Sequence, residues 1–284
     1  GNTAYNRWLA SKNTAHPELS NDALMNAYPT LAQQAINHGD AGSSAGGEFP
    51  KFTASRHLNN AATPHVIVKF SGADHSTAVQ RWSDLLICEH LALATLAQQT
   101  HIQSAKSRIL QAQGRTFLEV ERFDRVGERG RLPIISLDSI ANAFVGEDGS
   151  WPHLTEKLIQ LGLAHQDMLD DVWITWWFGK LIANSDMHLG NLSFTFNTDK
   201  HSSLQLCPVY DMLPMHNKPL SGGEVPIRNY QVALPQPQGQ HAWSIAAQAA
   251  LAFWQAASQD TRISQRFRKI CTVNHQTLHA AIQN

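Results

Sequence analysis

The spacing of apolar and polar positions along this 284-residue chain changes character near residue 125. Before that point the clearest signals are extended. PHVIVKFSG (64–72) is a β-branched run of strand length, and GRTFLEVERFDR (114–125) begins the same way. Between them Val79, Trp82, Leu86, Leu91 and Leu93 recur at spacings that predict a long helix between His75 and Gln99. Residues 1–40 are mostly polar and alanine-rich. Within them SNDALMNAYPTLAQQAIN predicts a short helix opened by Ser20 or Asn21 and interrupted near Pro29. Beyond 125 the pattern turns helical through SLDSIANAFV, HLTEKLIQLGL and DMLDDVWITWWFGKLIAN. NLSFTFN and LQLCPVYD predict a strand pair, and residues 240–284 close as helices. No internal repeat is present. Strand-rich sequence followed by helix-rich sequence predicts an α+β fold in two lobes, a sheet-bearing N-lobe over 1–125 and a helical C-lobe over 126–284.

Composition narrows the classes. With 22 basic and 23 acidic side chains the formal net charge is −1, so there is no global pull on nucleic acid or an anionic membrane. Cys88, Cys207 and Cys271 are odd in number and form no CxxC pair, which argues against a disulfide framework and a thiolate zinc site. The longest greasy run, VWITWWF (172–178), is far short of the roughly 20 residues that span a bilayer. With no secretory signal at the N-terminus, a reducing cytoplasm is the expected home, with no membrane partner. The chain opens on Gly1-Asn2 without methionine, as a processed, tagged or truncated piece of something longer would.

Candidate chemistry sits in LIANSDMHLGNLSF (181–194), where two apolar runs flank Asp186, His188 and Asn191. A buried helix leading into a strand has no need of a carboxylate, an imidazole and an amide between them. Phosphoryl transfer does, because there the protein mainly positions reactants and neutralises charge. Its other parts can be found in order. GSSAGG (42–47) offers backbone N–H groups of Ser43, Ser44, Ala45, Gly46 and Gly47 to phosphate oxygens. Lys69 in VIVKF follows on a strand, and Glu89 on the next helix can hold it. Asp186 would accept the proton of an attacking hydroxyl, Asn191 would bind magnesium, and Asp211 in CPVYDM would carry the metal.

Each fragment alone has a plainer reading. Gly/Ser stretches are mostly loops, strand lysines are mostly solvated edge charges, and Glu89 fits the exposed face of an amphipathic helix. A lone histidine such as His188 is more often a hydrogen-bonded structural residue than a ligand, and Asp124 can simply pair with Arg122 or Arg125. The order of the fragments changes the odds.

Taken together, GSSAGGEFPK, EVERFDR, NSDMHLGNLSF and PVYDMLPM resemble the HipA-type serine/threonine kinases, toxins of bacterial toxin–antitoxin modules, in family order from about residue 42 to 215. Within that family they resemble the YjjJ-like branch, which carries an upstream helix-turn-helix segment. The resemblance implies a two-lobed protein-kinase-like fold, ATP and Mg2+ as cofactors, Asp186 as catalytic aspartate and Asn191 with Asp211 on the metal. It implies that Lys69 meets the nucleotide phosphates, that the backbone of Leu118, Glu119 and Val120 meets the adenine, and that His188 braces the catalytic loop. It also implies autophosphorylation at Ser43 or Ser44, which expels the loop and switches the enzyme off. By the same token the substrate would be a protein serine, with aminoacyl-tRNA synthetases as the class its members modify. An antitoxin would be the partner, and DNA would be met only indirectly, through that partner or an upstream segment. The sequence departs from the family at Glu48-Phe49, where a small or polar pair is usual, and in lacking an evident N-terminal subdomain.

Three other readings compete. Aminoglycoside- and choline-kinase-type phosphotransferases share the D-x-H-x-x-N pattern, and only the loop with its Pro-Lys favours the protein kinase. A degenerate, non-catalytic scaffold linked to transcription would not be expected to retain Lys69, Asp186, Asn191 and Asp211. A metal-dependent hydrolase built on His188 lacks a second histidine at ligand spacing.

Overall fold

A computed structural model describes residues 19–38, 49–57, 61–197, 203–235 and 239–283. The first element, α1 (Asn21–His38), runs through Pro29 without interruption. Pro29 removes one helical hydrogen bond, the one its N–H would have given to the Met25 carbonyl.

Four antiparallel strands follow: β1 (Lys51–Ser55), β2 (His65–Phe70), β3 (Ser107–Ala112) and β4 (Arg115–Glu121), in the order β1-β2-β4-β3. Cross-strand register places Lys51 opposite Lys69 and Lys69 opposite Leu118. Because side chains alternate across a strand, these three share one face. The opposite face carries Phe52, Val66, Val68, Phe70 and Phe117, which form a small core with Leu24, Tyr28 and Ala32 of α1.

Between β2 and β3 lies α2 (Thr77–Gln99), begun by Ser76, whose side chain accepts from the Val79 N–H. It packs on the Lys69 face of the sheet. Its buried Leu85, Leu86, Leu93 and Leu96 join the larger core of the second lobe.

That lobe starts with a short ribbon of β5 (Arg125–Val126) and β6 (Gly130–Arg131). A second antiparallel sheet of β7 (Ile134–Ser136), β8 (Ser193–Asn197) and β9 (Ser203–Leu206) comes next. Its helices are α3 (Leu137–Phe144), α4 (Trp151–Gln160), α5 (Asp167–Leu181), α6 (Gln240–Gln259) and α7 (Gln265–Gln283). Helix α5 is apolar on several sides because it is central, with Val172, Ile174, Phe178 and Leu181 buried. In α6 the side chains of Ala246, Ala247, Ala249 and Ala250 are fully buried, and their small size lets neighbouring helices approach closely.

Helix α2 is fastened to this helical lobe by polar groups as well. Buried Asp84 accepts from the Ser264 N–H at 2.7 Å and the Ser264 hydroxyl at 2.6 Å. Arg81 donates to the Asn217 carbonyl at 2.9 Å and lies 4.3 Å from the centre of the Phe267 ring. Among the described residues no helix is long and apolar enough to cross a membrane.

Candidate active site

Where the two lobes meet, Phe49, Lys51, Lys69, Asp186, Asp211, Leu213 and Met215 line one small cleft. Lys69 stands near the end of β2 and reaches α2, donating to both carboxylate oxygens of Glu89 at 2.8 Å. It also donates to Asp211 Oδ1. Burial alone would discharge Lys69, but the Asp211 and Glu89 carboxylates outweigh it and raise its pKa, so the ammonium stays charged. Burial lifts the Glu89 carboxyl to about 7, against the opposing pull of Lys69. For Asp211 the balance is reversed. Burial pushes its pKa up, yet Lys69 brings it below the usual carboxylate range.

The loop carrying Asp186 is fixed from several sides. Helix α5 ends at Leu181, whose carbonyl accepts from Trp254 Nε1 at 3.0 Å and the Tyr230 hydroxyl at 2.6 Å. The chain then turns through Ala183, at φ 58°, so that the half-exposed Asp186 faces the cleft. The Asn191 amide donates to the Asp186 carbonyl at 2.8 Å. His188 caps the short 3-10 turn Leu189–Asn191 by accepting from the Gly190 N–H at 3.1 Å, while its carbonyl accepts from Trp151 Nε1 at 3.1 Å. His188 is placed as a brace rather than as part of a ligand cluster. Asp211 sits beyond the β8–β9 hairpin at φ 59°, a left-handed conformation unusual for a residue with a Cβ.

The donor set suits a hard cation. Asp211 supplies an anionic carboxylate, and Asn191 has its amide nitrogen committed to Asp186, leaving its carbonyl oxygen for another partner. Among the described residues no three His, Cys, Asp or Glu side chains gather at metal-ligand spacing. Two oxygen donors of this kind fit Mg2+, which commonly keeps water and substrate phosphate in its shell.

Other predicted residues are placed differently. Ser43, Ser44, Ala45, Gly46 and Gly47 lie outside the described residues, as does Glu48. Where the chain re-enters, Phe49 packs against Trp82 of α2 with ring centres 4.8 Å apart, and the Pro50 carbonyl accepts from the Phe70 N–H at 3.1 Å. Leu118, Glu119 and Val120 sit in β4, an inner strand with partners on both sides, so their backbone groups are committed to the sheet. Glu119 also points away from the cleft. Its carboxylate accepts from Arg108 Nε at 2.8 Å and from the Tyr28 hydroxyl, and pairs with Arg56. An adenine contact made by the backbone of 118–120 would have to compete with these sheet hydrogen bonds. Phe123, two residues past β4, has an N–H with no backbone partner among the described residues, and its ring lies 5.7 Å from that of Tyr210. Sequence reasoning also passed over Lys51 as a site residue. Burial and neighbouring Lys69 lower its pKa. The signal was the strand KFTAS, whose pairing with VIVKF sets one lysine beside the other.

Three comparisons bear on kinship. The model of the family described as HipA-like C-terminal domain matches residues 43–282. Toxin YjjJ of Escherichia coli (strain K12) is 39% identical over 271 residues, which cover 95% of this chain and 60% of that protein. The chain thus spans about three-fifths of that relative's length. Among solved structures, a chain of the Shewanella oneidensis MR-1 HipA, HipB and operator DNA complex aligns with a TM-score of 0.50 at 17% identity, over 84% of this chain and 64% of that one. CtkA, a Helicobacter pylori proinflammatory kinase, aligns with a TM-score of 0.53 at 11% identity, over 83% of this chain and 89% of that one. At such identities the structural likeness speaks for the kinase-like fold alone. On the family match and the relative at 39%, the chain belongs to the HipA-like C-terminal domain family.

Proposed function

We propose that the chain is the catalytic part of an ATP-dependent serine/threonine protein kinase acting as a toxin. One observation carries the reading. Lys69, anchored by Glu89, meets Asp211 in the cleft that Asp186 also lines. A scaffold without chemistry has no reason to bury a lysine between two carboxylates, since such an arrangement is costly to desolvate.

In this reading Lys69 and Lys51 neutralise the nucleotide phosphates, aided by the Gly/Ser loop. Asp186 orients the attacking hydroxyl and takes its proton. Asp211 and the Asn191 carbonyl oxygen hold Mg2+, which when bound offsets phosphate charge as transfer proceeds. The unengaged N–H of Phe123 takes the adenine contact assigned by sequence to residues 118–120. Autophosphorylation of Ser43 or Ser44 as an off-switch belongs to the same proposal, because a phosphate there would add about −1.5 to −2 charges where the nucleotide phosphates lie. The relative's name supports the toxin role. The HipA–HipB–DNA complex supports an antitoxin partner, with DNA reached through it. A protein substrate is favoured over a small molecule by the family match, and the three free, buried cysteines fit a reducing cytoplasm.

Intact-mass spectrometry of the purified protein, with and without Mg-ATP, tests this. We expect phosphate on the wild-type chain at Ser43 or Ser44, and none on Asp186→Asn, which keeps the volume but cannot accept the proton. A loss of roughly 10²-fold or more in rate is expected for that variant. Equal labelling of both proteins would remove Asp186 from its role, and a wild-type chain inert toward itself and toward protein substrates would overturn the kinase reading.

A further inference from the structure

The two aspartates that the proposed reaction needs together are 25 positions apart in the chain and separated by the β8–β9 hairpin. A buried amide joins their backbones. Asn184 is 4% exposed and lies just after the left-handed turn at Ala183. Its side-chain oxygen accepts from the Asp186 N–H at 3.0 Å, and its side-chain nitrogen donates to the Asp211 carbonyl at 3.3 Å and touches Met212 Sδ at 3.9 Å. Its own N–H is tied to the Gly179 carbonyl at 2.9 Å, so the amide projects from a fixed point at the end of α5.

We infer that Asn184 is a positioning residue that sets the spacing between Asp186 and Asp211, an inference that rests on the kinase reading above. A carboxamide carries an acceptor and a donor on one short planar group, which is what one N–H and one carbonyl on either side of it require. The two bonds have distinct consequences. Holding the Asp186 N–H fixes the carboxylate that receives the hydroxyl proton. Holding the Asp211 carbonyl fixes a backbone that already sits at φ 59°, where few neighbouring conformations are available if the tie is lost. Neither bond touches a substrate atom, so Asn184 acts only through the aspartates.

The test compares Asn184→Ala, Asn184→Ser and Asn184→Asp in steady-state phosphoryl transfer, alongside thermal melts. Alanine removes both ties. Serine can still accept from the N–H two residues on, as serine does in local turns, but is too short for Asp211. Aspartate keeps the first tie and loses the second. A misplacement of about 1 Å costs on the order of 10²-fold in rate, so Asn184→Ala should lower kcat by about that factor with KM for ATP nearly unchanged. Serine should recover a large part of that loss. Aspartate should raise the Mg2+ concentration needed for half-maximal rate. A role confined to stability would lower the melting temperature and leave kcat of the folded fraction and its Mg2+ dependence as in wild type. Folded Asn184→Ala with wild-type kcat, or serine no better than alanine, overturns the inference while leaving the kinase reading intact. Should alanine fail to fold, a wild-type kcat in Asn184→Ser and wild-type Mg2+ dependence in Asn184→Asp together overturn it. A wild-type chain that transfers no phosphate overturns the kinase reading first and this role with it.

Discussion

Lys69 faces two carboxylates at once, and the consequences differ for each. Replacing it with methionine leaves Glu89 and Asp211 close together without their shared cation. Breaking a buried pair in this way costs about 3–5 kcal/mol. The cost depends on pH. Burial already lifts the Glu89 carboxyl to about 7, above its value of 4.5 in an unperturbed chain. The folded state therefore binds that proton more tightly, and stability from this group falls as pH rises from 4.5 towards 7. Without Lys69 the lift is larger, so the melting temperature of Lys69→Met should trail wild type by a margin that widens from about pH 5 to about pH 8. Parallel curves would contradict the coupling. Lys69, Glu89, Asp186 and Asp211 stood out in sequence because a lysine and three carboxylates occur in one functional order. Glu119 was not legible as a buried anchor. Its partners Tyr28, Arg56 and Arg108 come from three other stretches of the chain, and only the parity of a two-sided strand turns it from the cleft.

Strands β1 and β3 were harder to see than β2 and β4. KFTAS and SRILQA mix polar and apolar positions because β3 closes one edge of the sheet and β1 borders the other, whereas VIVKF and TFLEV lie inside it. Pro29 misled as well, since the packing of α1 on the sheet through Leu24, Tyr28 and Ala32 outweighs the one hydrogen bond that proline removes. Nothing in the spacing of α2 announced its polar ties to residues 217 and 264, which are long-range. They make a prediction at this level. Ser264→Ala removes the hydroxyl that donates to Asp84, leaving a buried carboxylate short of a partner. The expected loss is about 1–3 kcal/mol, read as a lower denaturant midpoint at unchanged slope. Asp84→Asn in the same background should give back part of that loss, because burial already raises the Asp84 pKa and favours a neutral group there. No recovery would mean that the carboxylate is satisfied elsewhere.

The α+β fold was legible as a whole because strand-length β-branched runs and helical spacings both stand out in the sequence. How the lobes are joined was not. The larger core runs from Leu85 and Leu86 of α2 and Leu118 of β4 through to Phe253 and Leu278 of the last two helices, so nucleotide between the lobes would stabilise one cooperative body. At about 100 times its dissociation constant, Mg-ATP should add about 2.7 kcal/mol of stability. Thermal melts of an Asp186→Asn protein, which cannot consume the nucleotide, provide the measurement. Asp211→Ala added to that background should abolish the part that depends on magnesium and keep the part given by ATP alone. Equal shifts with and without the metal in the Asp186→Asn protein would remove Asp211 from the metal site.

The fastening of α2 also bears on how this cleft could be blocked. A compound that wedges behind a displaced glutamate-bearing helix needs a pose in which that helix has moved outward. Here Asp84, Arg81 and the apolar face of α2 are already spent on α6, α7 and the turns near Asn217 and Ser264, so opening such a vacancy would mean breaking those ties. Inhibitors would have to compete for the small space around Lys51, Lys69 and Asp211.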